Sequence, residues 1–563
     1  MPIRVHVLVS SATQVVSSSV SVCRLVAFHL SPLLLHLSYF LAIDLLGFLA
    51  LVLLKPSSPG YRPRYVDLFF MSTSAATVTG LATVKMEDLS SSHIVVLTLL
   101  MLLGSEMFVS LLGLFLESRK QRRHDPDHGS SSRVRSSAVT VCDEANLEEA
   151  NPPAPSSASS DDDRKESCLR SLAVVFLVYM AMILALGSLL VFVYVATVPS
   201  ARDVLERKGI NAALFSASVT VSSFTNGGLL PTNESMAAFA ANRGLLLLLA
   251  GQIIAGNTLL PVFLRLVVWA TRGLARAFAG RRGSEGLESM AEDAVAANFG
   301  HLLLPGLQTV FLAVTVVAVA AAAVTLLCCL NWDSEVFDGL TAGEKITNAL
   351  FMAVNARQAG ENSVDCSLVA PAVLVLFLSM MSASRSFSVH DCDLVFRQTR
   401  QPIGDKILRT LFRCIPATAT FFSVHDGGGA VAGEGSGGEP EHNKHGAAKK
   451  RRSLSLNSMF LTPLACVASV TMLVCVTERR SLSGDPLNFS TFNMIFEVLS
   501  AYGNLGLSTG YSCSRLLRPE EASACHDKPY SFSGWWSDQG KLVLVLLMLY
   551  GRLKGFDKKR RRS

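Results

Sequence analysis

The chain has 563 residues, half of them hydrophobic, with a positive mean hydropathy and a formal net charge of +6. These values exclude a soluble domain and point to a protein with several membrane spans. Twelve cysteines without CxxC or Cys/His metal spacing exclude a zinc module, and most of them, such as Cys328, Cys329, Cys466 and Cys475, lie in apolar runs.

Residues 1–30 are Ser/Val-rich and lack the order of a cleavable signal. A first span is expected at 32–54, long enough for a hydrocarbon core of about 30 Å. Asp44 inside it has to face other helices or water. Pro56, Pro59 and Pro63 end that span. A short half-apolar segment then leads into Ser74-Ala-Ala-Thr-Val-Thr-Gly80-Leu, followed by a span at 94–116 with Glu106 as an interhelical hydrogen-bond partner. Residues 117–168 are basic, then Ser/Pro-rich, then acidic, a composition that cannot bury a core.

The pattern recurs three times. Spans at 171–198 and 243–271 bracket Ser222-Ser-Phe-Thr-Asn-Gly-Gly228-Leu, and the second of them holds Gln252, Gly256, Asn257 and Pro261. Either a kinked pore-lining helix or packing through small and polar residues accounts for those four. Spans at 302–330 and 367–381 bracket Val354-Asn-Ala-Arg-Gln-Ala-Gly360-Glu. Spans at 458–476 and 540–556 bracket Ser500-Ala-Tyr-Gly-Asn-Leu-Gly-Leu-Ser-Thr-Gly-Tyr511. Self-similarity of this kind marks a repeat architecture. Irregular backbone is tolerated at membrane depth only where it is buried or lines a wet cavity. Four glycine strips, each between two spans, therefore suit a ring in which backbone carbonyls replace an ion's water shell.

The expected fold is an all-α integral membrane protein: four parallel helix–pore–helix repeats around a central pore. The repeats fall at 1–116, 169–272, 300–385 and 458–556. Cytosolic linkers are expected at 117–168, 273–299 and 386–457, with a basic tail at 557–563. Basic residues after the spans, including Arg119, Lys120, Arg272, Arg276 and Lys558, set the linkers and both termini on the cytoplasmic side. The candidate filter is Gly80, Gly228, Gly360 and Gly506. Thr77, Val78, Thr79, Thr225, Asn226, Gly227, Asn355, Arg357, Glu361, Tyr502, Gly503 and Asn504 flank it. Arg357 and Glu361 are expected to brace the third strip by pairing with neighbours. Arg552 and Lys554, in the last span, are expensive in lipid and are expected to face an aqueous vestibule. Arg552 is the candidate inner gate, with a positive-inside anchor as the other reading.

Asp485-Pro-Leu-Asn-Phe-Ser, Ser500 to Cys513, Tyr550-Gly-Arg-Leu-Lys554, Met71-Ser-Thr-Ser-Ala, Pro231-Thr-Asn-Glu-Ser and Glu361 resemble plant HKT transporters of the Trk/Ktr/HKT superfamily. The resemblance implies eight transmembrane helices and four re-entrant pore loops, working as a multi-pass protein of the plasma membrane. It also implies that serine at the first filter position goes with sodium selectivity and glycine with potassium permeation, so Gly80 implies a potassium-permeable member. Three features depart from the family pattern. Thr-Asn-Gly-Gly occupies the second strip where a Cys is common. The third inner span lacks the Pro-rich ending. Phe387-Ser-Val-His-Asp391 is nearly repeated at Phe422-Ser-Val-His-Asp426.

The expected function is potassium and sodium uptake, without enzymatic activity or a cofactor beyond the transported K+ and Na+. A sodium-selective uniporter of the same family and an alternating-access carrier are the alternatives. Partners are the ions and the bilayer, with no nucleic acid; a homodimer is open, and so is a Cys513–Cys525 disulfide.

Overall fold

Runs of Leu, Val, Ala and Ile become helices in the computed structural model, which describes residues 32–56, 62–124, 158–256, 259–279, 306–357, 359–384, 463–516 and 530–560. Among these residues no strand occurs, so the all-helical expectation holds. The first repeat contains α1 (Pro32–Leu53), α2 (Tyr65–Ala76), α3 (Ser91–Gly104) and α4 (Glu106–His124). The second contains α5 (Ala158–Thr197), α6 (Pro199–Lys208), α7 (Ala212–Thr225), α8 (Arg243–Gly256) and α9 (Leu260–Ala279). The third contains α10 (Gly306–Asn331), α11 (Ala342–Asn355) and α12 (Pro371–Ser384). The fourth contains α13 (Pro463–Thr477), α14 (Arg479–Gly484), α15 (Thr491–Gly503) and α16 (Asp538–Arg560).

Three stretches, Leu34–Leu53, Leu169–Thr197 and Thr309–Asn331, are long and apolar enough to cross a bilayer. Two bent pairs raise this to five: α3–α4 turns by 54° at Ser105, and α8 and α9 lie at 85° to one another. The second bend falls where Gln252, Gly256 and Pro261 raised the kinked-helix reading. Large apolar side chains stay exposed on the outer helices, among them Leu45, Leu46, Leu189, Val314 and Val317. Such a surface is stable in lipid and not in water. Helix-favouring residues carry α4 on to His124, and α5 already starts at Ala158, so the expected linker is helical at both margins. The rest of it, most of 273–299, the whole of 386–457, the near-repeated Phe387–Asp391 motif and Cys525 lie outside the described residues. Cys513 is disulfide-bonded.

Packing closes the four repeats into a ring. In each repeat the outer helix (α1, α5, α10 or α13) lies on its own short central helix (α2, α7, α11 or α15). Each inner helix packs on the central helix of the next repeat: α3 on α7, α8 on α11, α12 on α15, and α16 back on α2. Apolar cores fill the seams. Phe70 and Met71 of the first repeat share one with Trp536, Leu544 and Met548 of the fourth. Phe377 and Met352 share another with Phe496 and Leu507, and Phe215 and Ile253 share a third with Phe351 and Val354. Met107 and Leu111 pack with Phe176 and Phe224 between the first and second repeats.

Polar contacts beyond the strips repeat the same closure. Ser531 donates its amide to Ala82 at 3.1 Å, Met236 to Asn362 at 2.8 Å, and Arg515 reaches the Ser367 carbonyl at 2.7 Å. Lys208 bridges Glu87 at 2.7 Å and Glu234 at 2.5 Å. Burial works against its ammonium, but the two carboxylates outweigh that and hold its pKa above the ordinary lysine value.

Asp44 takes the interior position its charge demanded: it is 1 % exposed, and the Thr73 hydroxyl donates to it at 2.8 Å. A second buried charge, Lys541 of α16, is 2.7 Å from Asp67 of α2 and 1 % exposed. Removing one partner of such a pair leaves the other uncompensated, at roughly 3–5 kcal/mol. Lys541→Met is therefore expected to lower the melting temperature of the detergent-solubilised protein, and Asp67→Leu/Lys541→Met to recover part of the loss. A melting temperature unmoved by Lys541→Met would contradict this role.

Candidate ion-coordination site

The central helices of 12 to 14 residues are too short to cross, at roughly 1.5 Å per residue, and each delivers one glycine strip to the axis. Their outer ends are capped where the sequence supplies the residue. Asn211 accepts from the Ala213 and Leu214 amides, Thr341 and Glu344 form a capping box, and Ser490 accepts from Asn493. Three of their inner ends run into left-handed backbone, while that of the third repeat, α11, ends at a right-handed Ala356. Asn226 (φ 60) and Asn504 (φ 47) close α7 and α15, and Val78 (φ 56) takes the matching place in the first strip. Asn tolerates this region, whereas a β-branched Val there stores strain, of the kind that clusters at functional sites. Each stands two residues before its strip glycine, and Gly80, Gly228, Gly360 and Gly506 are themselves at φ 88, 71, 66 and 92.

Hydrogen bonds within the strips run one way. The amides of Thr79, Gly227 and Leu505 donate back to the carbonyls of Ser74, Ser222 and Ser500 at 2.7, 2.7 and 3.1 Å. In the third strip Ala359 and Gly360 donate to the Asn355 carbonyl, and Glu361 donates to the Asn355 side chain at 3.1 Å. Gly506 donates to the Ser500 hydroxyl at 3.1 Å. The carbonyls of Val78, Thr79, Gly80, Gly227, Gly228, Ala359, Gly360, Leu505 and Gly506 accept no hydrogen bond from the described residues. Buried carbonyls are rarely left so. A desolvated cation is the partner that such a set of oxygens suits.

The four glycines stand side by side. A Cβ on Gly80 would lie 2.9 Å from the Gly227 carbonyl and 2.9 Å from Gly228 Cα. One on Gly228 would meet the Ala359 carbonyl, one on Gly360 the Leu505 carbonyl and Gly506, and one on Gly506 the Thr79 carbonyl and Gly80. Each strip thus touches the next in the order first, second, third, fourth, first.

The flanking residues divide by role. Glu361 is fully buried and takes the Ser222 and Ser223 hydroxyls of the second repeat at 3.0 Å, a brace across the seam. Glu497, absent from the sequence-derived site, does the same within the fourth repeat, accepting from Ser508 at 2.7 Å and the Ser533 amide at 2.9 Å. Thr77 and Thr79 bond each other, and Thr225 bonds back to Val221 at 2.7 Å. Arg357 is partly buried beside the third strip. Lys554 lies over the rings of Tyr502 and Tyr550, and Gly503 faces the Met381 carbonyl.

Three further glycines belong to the site. A Cβ on Gly104, Gly256 or Gly551 would overlap the carbonyl of Ala76, Phe224 or Tyr502, the inner end of that repeat's central helix. The inner helices thus reach the base of the strips at backbone distance. Nothing in the sequence marks them as a set, because they stand at unequal distances from the strip glycines.

Arg552 departs from expectation. It is 5 % exposed and does not face a vestibule: it donates to the Gly104 carbonyl, lies 3.4 Å from Glu106, and stands over the Phe40 ring. The bend at Ser105 strips the last carbonyls of α3 of intrahelical partners, and the guanidinium supplies the donor. Glu106 thereby pairs between helices as expected.

The chain matches the family model for TrkH, a cation transport protein, over residues 154–389 and 449–558. It is 58 % identical to the cation transporter HKT2;4 of Oryza sativa subsp. japonica over 99 % of both chains, and 56 % identical to the probable cation transporter HKT2;3 of the same organism over 99 % of both. It is 35 % identical to the sodium transporter HKT1 of Arabidopsis thaliana over 91 % of both chains. With the apolar helical ring, these matches define a multi-pass membrane protein of the cation-transporter class, which is not an enzymatic one. The chain belongs to the HKT family of cation transporters.

Proposed function

We propose that the four strips form one filter through which potassium, accompanied by sodium, crosses the plasma membrane. In this reading the chain makes eight spans, α3–α4 and α8–α9 each counting as one, and α2, α7, α11 and α15 are the re-entrant segments. The observation that carries it is the closed ring of four glycines whose carbonyls accept no hydrogen bond from the described residues. Glycine at position 80 supports potassium permeation, since no side chain narrows that quarter of the ring. The test is current in an expressing cell as external potassium and sodium are exchanged. Inward current in both is expected; current that follows sodium alone would assign the sodium-selective alternative.

Arg552 acts in this scheme as the inner gate through the α3–α4 bend, which its bond to the Gly104 carbonyl holds. Arg552→Gln should raise inward current or weaken rectification with surface amount unchanged. Wild-type current and rectification in that variant would return it to an anchor.

A further inference from the structure

We propose that Asn504 is a selectivity-positioning residue, whose side-chain amide clamps the first filter strip to the fourth and ties both to the last inner helix. The inference rests on the filter reading above. Proton counting fixes the direction of every bond in the clamp. The Thr77 hydroxyl is 2.7 Å from the Thr73 carbonyl, which cannot donate, so the one hydroxyl proton of Thr77 points there. Thr77 and Thr79 hydroxyls are 2.7 Å apart, so Thr79 must donate to Thr77. Thr79 then has no proton left and can only accept, and Asn504 Nδ2 donates to it at 2.8 Å. The second proton of the same amide nitrogen goes to the Met548 carbonyl of α16 at 3.0 Å.

A primary amide is the group that fits. It offers two protons from one nitrogen, and asparagine tolerates the left-handed φ of 47 at this position. A carboxylate would set oxygen against the Met548 carbonyl and leave Thr79 without a donor. Thr77 and Thr79 are fully buried and Asn504 is 7 % exposed, so water cannot stand in without rearrangement. The clamp sits where the strips touch, since a Cβ on Gly506 would meet the Thr79 carbonyl and lie 3.0 Å from Gly80 Cα. Thr79 carries one of the carbonyls that accept no hydrogen bond from the described residues, immediately before Gly80. Releasing its side chain lets that carbonyl turn, and discrimination between two monovalent cations depends on where such oxygens stand.

The experiment records reversal potentials under bi-ionic potassium and sodium, together with surface protein, for Asn504→Ala, Asn504→Asp, Thr79→Val, Thr79→Ser and Asn504→Ala/Thr79→Val. Asn504→Asp and Thr79→Val should each change the permeability ratio by about fivefold or more, the effect of losing one buried hydrogen bond. Thr79→Ser should keep the wild-type ratio, and the double variant should be no worse than its worse single. Thr79→Val tests the same bond from the other side if an Asn504 variant fails to reach the surface. Wild-type ratios in Asn504→Ala and Thr79→Val, or additive effects in the double, overturn the clamp. Gly506→Arg separates the two levels. Lost current there with unchanged ratios in the clamp variants removes the clamp alone, whereas retained current removes the filter reading itself.

Discussion

Gly360→Ala is expected to abolish cation current while the protein still reaches the cell surface. The added Cβ would overlap the Leu505 carbonyl and lie 2.7 and 2.8 Å from the backbone of Gly506. Backbone atoms have no flexible end to yield, so the fourth strip has to move, and it is itself a quarter of the ring. The left-handed φ of 66 adds roughly 1–2 kcal/mol of strain for any residue with a Cβ. A hundredfold loss of current needs only about 2.7 kcal/mol of added barrier. Gly209→Ala separates the two causes. Gly209 has φ 64 but nothing within 4 Å of an added Cβ, so the strain is matched and the collision absent. Current close to wild type in Gly209→Ala, beside a silent Gly360→Ala at equal surface amount, is the expected pair of results. Comparable loss in both would assign the effect to backbone strain alone.

Gly80→Ser is expected to depress potassium permeability while sodium current survives. An added Cβ there would lie 2.9 Å from both the Gly227 carbonyl and Gly228 Cα, and φ is 88. The first and second strips must part or tilt to admit it, which displaces carbonyls in two quarters of the ring. Potassium is the larger, more weakly hydrated ion, so it needs the full set of oxygens at its own radius; sodium tolerates a narrower passage. Cavity size and ligand field strength, the two accounts of such selectivity, predict the same direction. A tenfold shift in the permeability ratio corresponds to about 1.4 kcal/mol of differential barrier. Bi-ionic reversal potentials of wild type and Gly80→Ser measure it, and identical values would remove position 80 from the choice of ion.

Much of this architecture was legible from residues alone, for physical reasons. Apolar runs bounded by Pro, Gly and charge allow few alternatives to a helix, so the expected span at 32–54 became Pro32–Leu53 and the one at 302–330 became Gly306–Asn331. The strips stood out because a short, glycine-spaced segment between two apolar spans recurred four times in one chain. What stayed hidden depends on contacts between segments far apart in sequence. Arg552 read as a costly charge in need of water, because nothing local reveals the Gly104 carbonyl that receives it. Glu497 carries no local signal, because its partners Ser508 and Ser533 reach it only in the folded chain. The cyclic order of inner helix on the next central helix has no sequence signature, since it is set by which surfaces remain after each repeat folds.

The central claim is that four glycines from four repeats make one ring through which the ions pass. Whole-cell current carried by potassium, recorded for wild type and Gly506→Arg at matched surface amount, tests it most directly. A Cβ at Gly506 already meets the Thr79 carbonyl and Gly80, so the arginine is expected to eliminate current although it lies in the repeat farthest in sequence from Gly80. Wild-type potassium current through Gly506→Arg would contradict the ring.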